Sequence, residues 1–153
     1  MTYLGGASFA WQSDHGQFYL IDSKDHAFLA PVDITPEMTA RNYYAPATGL
    51  VVYTHDCLQQ RIDIVVYDAE PAATSVEAIR GQPWNAVETT HATFPSGRFA
   101  VSSPSRAVHR VGPFFVLGTQ HAAVRISWMQ IEGNRYDSTL IEPDVIQIEL
   151  WPR

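Results

Sequence analysis

Apolar and polar residues alternate along several short runs of this chain, which is the pattern of a β-strand with one buried face. The clearest run covers residues 121–131, in which Ala122, Val124, Ile126 and Trp128 share one face. Further strands are predicted on the same grounds at residues 17–22, 49–55, 61–67, 87–94, 98–102 and 144–151. The pattern therefore indicates a protein built mainly from short strands.

Glycine and proline residues mark turns between these runs, as in Asp14-His15-Gly16 and Pro95-Ser96-Gly97. Many short strands joined by turns indicate an antiparallel β-sandwich, and a length of 153 residues indicates one domain, residues 1–153. We therefore predict an all-β fold, an antiparallel β-sandwich with one or two short helices. The apolar positions of the runs predict the core: Phe18, Leu20, Val51, Tyr53, Ile62, Ile64, Val66, Val124, Ile126, Trp128, Ile146, Ile148 and Leu150.

Two segments carry signals for the start of a helix. Thr35 is followed by Pro36, and proline suits the first helical position, so a helix is predicted from there towards Tyr43. Thr74 and Glu77 have the spacing of a capping box, which predicts a second helix of about one and a half turns over residues 75–80.

His55, Asp56 and Cys57 place an imidazole, a carboxylate and the only thiol of the chain in consecutive positions. The runs 49–55 and 61–67 are predicted to be the two arms of a hairpin, with Asp56 opening the connecting turn. In an extended strand, the side chains of His55 and Asp56 would face opposite sides. With a turn at Asp56, its carboxylate would bond its own backbone and Cys57 would lie in the loop as a small half-buried group. We therefore predict a strand that runs into a turn, with no catalytic residue.

The pattern of histidines and cysteines gives no metal site. The chain contains no His-X-His pair, no His-Glu-X-X-His motif and no second cysteine. No glycine-rich phosphate loop is present either. The sequence therefore predicts neither a metal nor a cofactor.

The charge balance narrows the class of partner. Sixteen acidic residues against ten basic ones give a net charge of −6, which disfavours direct binding to nucleic acid or to an anionic membrane and favours a basic protein surface. The chain shows neither a secretory leader nor an apolar run of about 18 residues. We expect a cytoplasmic protein without a membrane segment.

Several motifs follow one another in a characteristic order along roughly residues 15–150. The motifs are His15-Gly16-Gln17-Phe18-Tyr19-Leu20, an acidic and proline-containing loop, the stretch 41–47, Gly49-Leu-Val-Val-Tyr53, Asp63-Ile-Val-Val-Tyr67, Trp84 and Ala123-Val-Arg-Ile-Ser-Trp128. This order resembles that of the competence protein J family, which contains inhibitors of the bacterial DNA-entry nuclease. The resemblance implies a sandwich fold and the broad class of an inhibitor.

The leading functional hypothesis is a non-catalytic binding protein of the nuclease-inhibitor or immunity type. It would mask a protein partner, such as a nuclease or a toxin, with acidic loops. The predicted partner-binding residues are Asp22, Asp25, Asp33, Trp84, Asp137 and Glu142. The sequence leaves open whether the chain forms a homo-oligomer.

Two alternatives remain at this point. Trp84 follows Pro83 in a loop, where an aromatic ring can anchor an interface, stack on a sugar or plug the open end of the sandwich. With Tyr43 and Tyr44 it suggests a carbohydrate- or small-ligand-binding module. A metal- or thiol-dependent enzyme built on residues 55–57 is the second alternative.

Overall fold

The computed structural model of the chain describes residues 1–13, 15–24, 28–54, 59–72, 83–104, 112–131 and 143–153. These residues form ten strands and one helix. In chain order they are β1 (Tyr3–Gln12), β2 (Gln17–Asp22), α1 (Pro36–Arg41), β3 (Tyr43–Tyr44), β4 (Leu50–Tyr53), β5 (Gln59–Tyr67), β6 (Ala86–Thr93), β7 (Arg98–Ser102), β8 (Phe114–Val116), β9 (His121–Met129) and β10 (Val145–Pro152).

The strands form two five-stranded sheets. Sheet A has the order β1-β5-β10-β9-β6, and sheet B has the order β3-β4-β2-β7-β8. Neighbouring strands are antiparallel, except that β10 runs parallel to β5. The predicted sandwich is confirmed, with one parallel pair inside a sheet that is otherwise antiparallel.

The space between the sheets is filled by the apolar face of every long strand, and each of the thirteen predicted core residues is buried. Val51 and Tyr53, however, lie on the outer face of sheet B, where they cluster with Tyr19. The residues of β4 that face the interior are Leu50 and Val52. Since all four residues of β4 are apolar and buried, alternation could not tell its two faces apart.

The predicted hairpin between residues 49–55 and 61–67 is wrong. β4 lies in sheet B between β2 and β3, whereas β5 lies in sheet A between β1 and β10. β4 is buried on both faces, while β5 alternates buried residues with residues that are exposed or half-buried. The apolar pattern identifies a strand and its faces, but it does not identify the neighbouring strand, because the backbone groups that form the ladder are the same in every strand.

Three strands were not predicted. β1 contains Gly5-Gly6-Ala7, whose small residues carry a weak alternating signal, and β3 and β8 are only two and three residues long. Strands this short give too few positions for a period of two to appear.

The helix predicted after Thr35 is confirmed. The Thr35 side chain caps α1 by accepting a hydrogen bond from the Met38 backbone N–H at 3.3 Å, and Asn42 ends the helix in the left-handed conformation. The helix predicted over residues 75–80 lies outside the described residues. Within the part of the chain that the structure describes, no helix is long and apolar enough to cross a membrane.

The two sheets meet along one side of the sandwich through a bridge between Gly49 and Thr93. Gly49 adopts a φ of 81°, in the left-handed region that glycine tolerates best. A Cβ atom at this position would lie 2.7 Å from Phe28 Cδ2. The bridge therefore needs glycine, and it brings residue 28 against the outer face of sheet B.

Candidate functional site

A segment that projects from the outer face of sheet B is the most distinctive surface of the described chain. This projecting segment, residues 28–37, begins at Phe28, whose ring lies 5.0 Å from that of Tyr19 between centroids. Phe28 also packs on the buried cluster that contains Val51 and Tyr53. Its first residue is therefore held against the sheet.

The far end of the projecting segment is held by α1. Met38 packs on the same cluster, and its Sδ atom accepts a hydrogen bond from the Tyr53 hydroxyl at 3.6 Å. Burial, and then the neighbouring Tyr44, raise the pKa of the Tyr53 phenol, so that it remains a neutral donor. Pro31 and Pro36 restrict the backbone between the two anchors.

The residues between the anchors expose apolar side chains. Leu29 is 79% exposed, Val32 98% and Ile34 52%. The carboxylates of Asp33 and Glu37 are exposed beside them, and residues 28–40 contain no lysine or arginine. The segment therefore presents apolar and negatively charged groups together, on a backbone fixed at both ends.

Of the predicted partner-binding residues, Asp33 lies on this segment, whereas Asp22 is only 3% exposed. One oxygen of Asp22 accepts hydrogen bonds from the Lys24 backbone N–H and the Ser96 hydroxyl, both at 2.8 Å. The other oxygen accepts the Ser96 backbone N–H at 2.6 Å. Asp22 thus ties the end of β2 to the turn before β7, and its contact with a partner stays a prediction.

Trp84 is half-buried against Met129, Val145 and Ile131 on the outer side of sheet A. Tyr43 packs against the core between the sheets, and Tyr44 packs against the outer cluster of sheet B. The three aromatic side chains proposed for sugar binding therefore belong to three different clusters. Any role of Trp84 in partner binding stays a prediction.

The other predicted residues lie outside the described residues. They are Asp25, Asp137 and Glu142 of the partner-binding set, and His55, Asp56 and Cys57 of the enzyme alternative. Among the residues that the structure does describe, no group of three or more histidine, cysteine, aspartate or glutamate side chains is placed to hold a metal ion.

A cavity of about 210 Å³ opens between the two sheets at the Tyr53 end of β4. The Trp128 indole N–H beside it donates to the Tyr53 carbonyl at 3.0 Å. The Asn85 side-chain oxygen accepts the Gln130 backbone N–H at 2.7 Å. Among the described residues, the polar side chains of the lining are those of Asn42, Gln60, Asn85, Gln130 and Asp144. The cavity thus offers amide and carboxylate groups beside an aromatic wall.

Comparisons with known proteins give similarity of fold. ComJ from Bacillus subtilis, described as an inhibitor of the DNA-degrading activity of NucA, has a TM-score of 0.67 at 10% identity, over 98% of this chain and 96% of its own. The protein named Crocagin biosynthetic gene J has a TM-score of 0.57 at 14% identity, over 99% of both chains. No family model and no curated protein matches. The likeness shows the fold alone.

The three exposed apolar residues of the projecting segment were not predicted from the sequence, which indicated only an acidic, proline-containing loop after the strand at residues 17–22. A signal was available, because Leu29, Val32 and Ile34 lie between a predicted strand and a predicted helix, in a stretch that contains Pro31. Large apolar residues in such a loop either cover a core or meet a partner. Only the fold shows that these three are exposed.

Proposed function

We propose that this protein is a non-catalytic inhibitor that masks a protein partner with its projecting segment. The observation that carries the proposal is the near-complete exposure of Val32 on a segment that Phe28 and Met38 fix at both ends. Apolar groups held in water at a fixed place suit a partner better than they suit the free protein. The fold likeness to the inhibitor ComJ supports the same class.

Anchoring lowers the entropic cost of binding. A segment that is already ordered loses less conformational freedom when it docks, so more of the contact energy appears as affinity. Here the backbone between Phe28 and Met38 is restricted by two prolines and by the capped start of α1. We therefore expect binding with little rearrangement of this protein.

The proposed partner is a DNA-degrading nuclease of the same organism. Such an enzyme needs a basic surface to hold the DNA backbone. Asp33 and Glu37 on the segment, together with the net charge of −6, complement a surface of that kind. The apolar side chains would fill a hollow within or beside it.

The test is a DNA-degradation assay with the purified nucleases of the host, titrated with this protein. We expect one nuclease to lose activity at a stoichiometric ratio, and we expect Val32→Ala to weaken inhibition at least tenfold. Val116→Ala is the matched control, because Val116 is a valine 65% exposed on β8. Full nuclease activity at saturating protein, for every nuclease tested, would contradict the proposal.

A small-ligand-binding function is a second candidate, and the cavity beside Trp128 favours it. Amide groups next to an aromatic wall suit a neutral molecule with several hydroxyl groups, and the Asp144 carboxylate in the lining disfavours an anion. Calorimetry with neutral monosaccharides tests this, with Asn85→Ala as the variant. If neither the natural chain nor Asn85→Ala gives a heat of binding with any of these sugars, this candidate function is ruled out.

A further inference from the structure

The four edges of the two sheets are protected to very different degrees. In sheet B the edge strands β3 and β8 have two and three residues, and short edges offer little to a passing strand. In sheet A the edge strand β6 is bridged to sheet B at its last residue, Thr93, and it carries the charged residue Glu88. The remaining edge is β1, which has ten residues.

β1 has one register shift against β5, between Tyr3 and Gly5, and from Gly5 onwards it lacks the devices that keep edges apart. Its sequence, YLGGASFAWQ, contains no charged residue and no proline. It pairs with β5 from Tyr3 to Gln12, and no other strand among the described residues pairs with it. Ser8 and Ala10 are exposed, and Phe9 and Trp11 are only half-buried. A long, uncharged and accessible row of backbone groups therefore lines this side of sheet A.

We propose that this edge pairs with the same edge of a second copy of the chain, β1 against β1 and antiparallel. Each copy has a net charge of −6, so two copies repel one another wherever carboxylates meet. An uncharged strand is the place where that repulsion is smallest. An antiparallel pair also satisfies the symmetry of a two-fold dimer, because every contact occurs twice.

The self-pairing has further support in the side chains along the edge. Antiparallel pairing places the exposed Tyr3 and Leu4 of one copy beside the Trp11–Gln12 end of the other. Apolar surface at both ends of the strand would thereby lose contact with water. On the outer face of the paired β1 strands, the residues Gly6, Ser8 and Ala10 of each copy are small, so β1 itself places no bulky side chain there between Gly6 and Ala10. The two five-stranded sheets would become one sheet of ten strands.

Sedimentation velocity over a range of concentrations tests the dimer directly. We expect the natural chain to dimerise, and Ala10→Lys to raise the dimer dissociation constant at least tenfold, since a lysine on an edge strand opposes pairing. Val87→Lys is the matched control, because Val87 is 49% exposed on β6, the other edge of the same sheet. This control should dimerise like the natural chain.

Two proline variants sharpen the test without assuming the register. Along a strand, successive backbone N–H groups point to opposite neighbours, so one of Ala7→Pro and Ser8→Pro removes a bond to β5 and the other removes only an edge group. The variant that removes only an edge group should keep the thermal midpoint of the natural chain and should be monomeric. A natural chain that sediments as a monomer at every concentration, or an unchanged dimer in Ala10→Lys, would overturn the inference.

Discussion

The outer faces of the two sheets are each partly covered, but by opposite chemistry. On sheet A, the Arg125 Nε atom lies 2.6 Å from a carboxylate oxygen of Glu149, and both side chains are buried. The Arg125 guanidinium also donates to the carbonyls of Pro71 and Ala72 and lies 5.7 Å from the ring of Trp151. On sheet B, the covering contacts are apolar.

The difference determines how each outer face tolerates substitution. A buried ion pair works only when both partners and their hydrogen bonds are present, because either charge alone is costly to bury. Apolar contacts, such as Phe28 and Met38 on the cluster around Tyr19, contribute in proportion to buried area and can be lost by degrees. The covering of sheet A therefore depends on one buried ion pair, between Arg125 and Glu149, which we call the buried lock of sheet A. Sheet B instead supports the projecting segment through apolar contacts, so the exposed residues of that segment can vary.

The largest effect is expected from Arg125→Met. The variant leaves the Glu149 carboxylate buried without its partner and frees the carbonyl of Pro71, so we expect the free energy of unfolding to fall by about 3–5 kcal/mol. Urea denaturation followed by tryptophan fluorescence measures this. The double variant Arg125→Met/Glu149→Leu should recover most of the loss. A single variant that costs less than about 1 kcal/mol would mean that this lock does not differ from surface ion pairs.

Phe28→Ala tests the apolar side of the comparison. Phe28 is only half-buried, so its loss should lower the free energy of unfolding by about 2 kcal/mol, below the 3–5 kcal/mol typical of a fully buried phenylalanine. Because it also releases one end of the projecting segment, inhibition of the partner should weaken as well. Leu29→Ala, at the next and exposed position, should leave stability within about 0.5 kcal/mol of the natural chain. Equal losses of stability in both variants would contradict the anchoring role.

Asp22→Asn tests the hydrogen bonds by which the Asp22 carboxylate connects the end of β2 to the turn before β7. The amide keeps only one acceptor for the three hydrogen bonds from Ser96 and Lys24, so we expect a loss of about 1–2 kcal/mol in thermal or urea unfolding. Asp33→Asn is the control, because Asp33 is exposed, and it should change stability by less than about 0.5 kcal/mol. If Asp22→Asn abolished binding of a partner while stability stayed unchanged, Asp22 would be a contact residue rather than a tie.

The strands of the sandwich could be predicted because their two faces differ in residue type, even where both faces are buried, as in β9. β2 and β7 have the predicted bounds, and β9 and β10 end within two residues of them. In each case one face packs between the sheets, so the period of two survives in the sequence. The neighbours of a strand could not be predicted, as the wrongly predicted hairpin between β4 and β5 shows. Strands pair through backbone groups that are the same in every strand, so the apolar pattern does not identify the partner.

The outer faces were beyond prediction for a different reason. In β9, Arg125 alternates with the core residues Val124 and Ile126, yet its own face of the strand is also buried, under Pro71 and Ala72, which lie more than fifty residues away in sequence. Asp22 and Asp33 look alike in the sequence, and Ser96, 74 residues after Asp22, is what sets them apart. Long-range contacts of this kind decide whether a charged residue is structural or available.

The smallest effect is expected from a charged contact on the exposed rim of sheet A. The Asp68 carboxylate accepts a hydrogen bond from the Thr2 backbone N–H, and this bond lowers the pKa of Asp68 below its ordinary value of 3.8. Since the pKa is lower in the folded than in the unfolded chain, the stabilisation is present above that ordinary value and is lost as the pH falls through the folded pKa.

Asp68→Asn should therefore lower the thermal midpoint slightly between about pH 5 and pH 7, and the difference from the natural chain should vanish in strong acid. Thermal scans across this range measure it, and added salt should shrink it, because the carboxylate is exposed. Arg125→Met should keep its large deficit under the same salt, since its carboxylate partner is buried. Equal sensitivity to salt in the two variants would remove the distinction between the buried lock of sheet A and the charges at its rim.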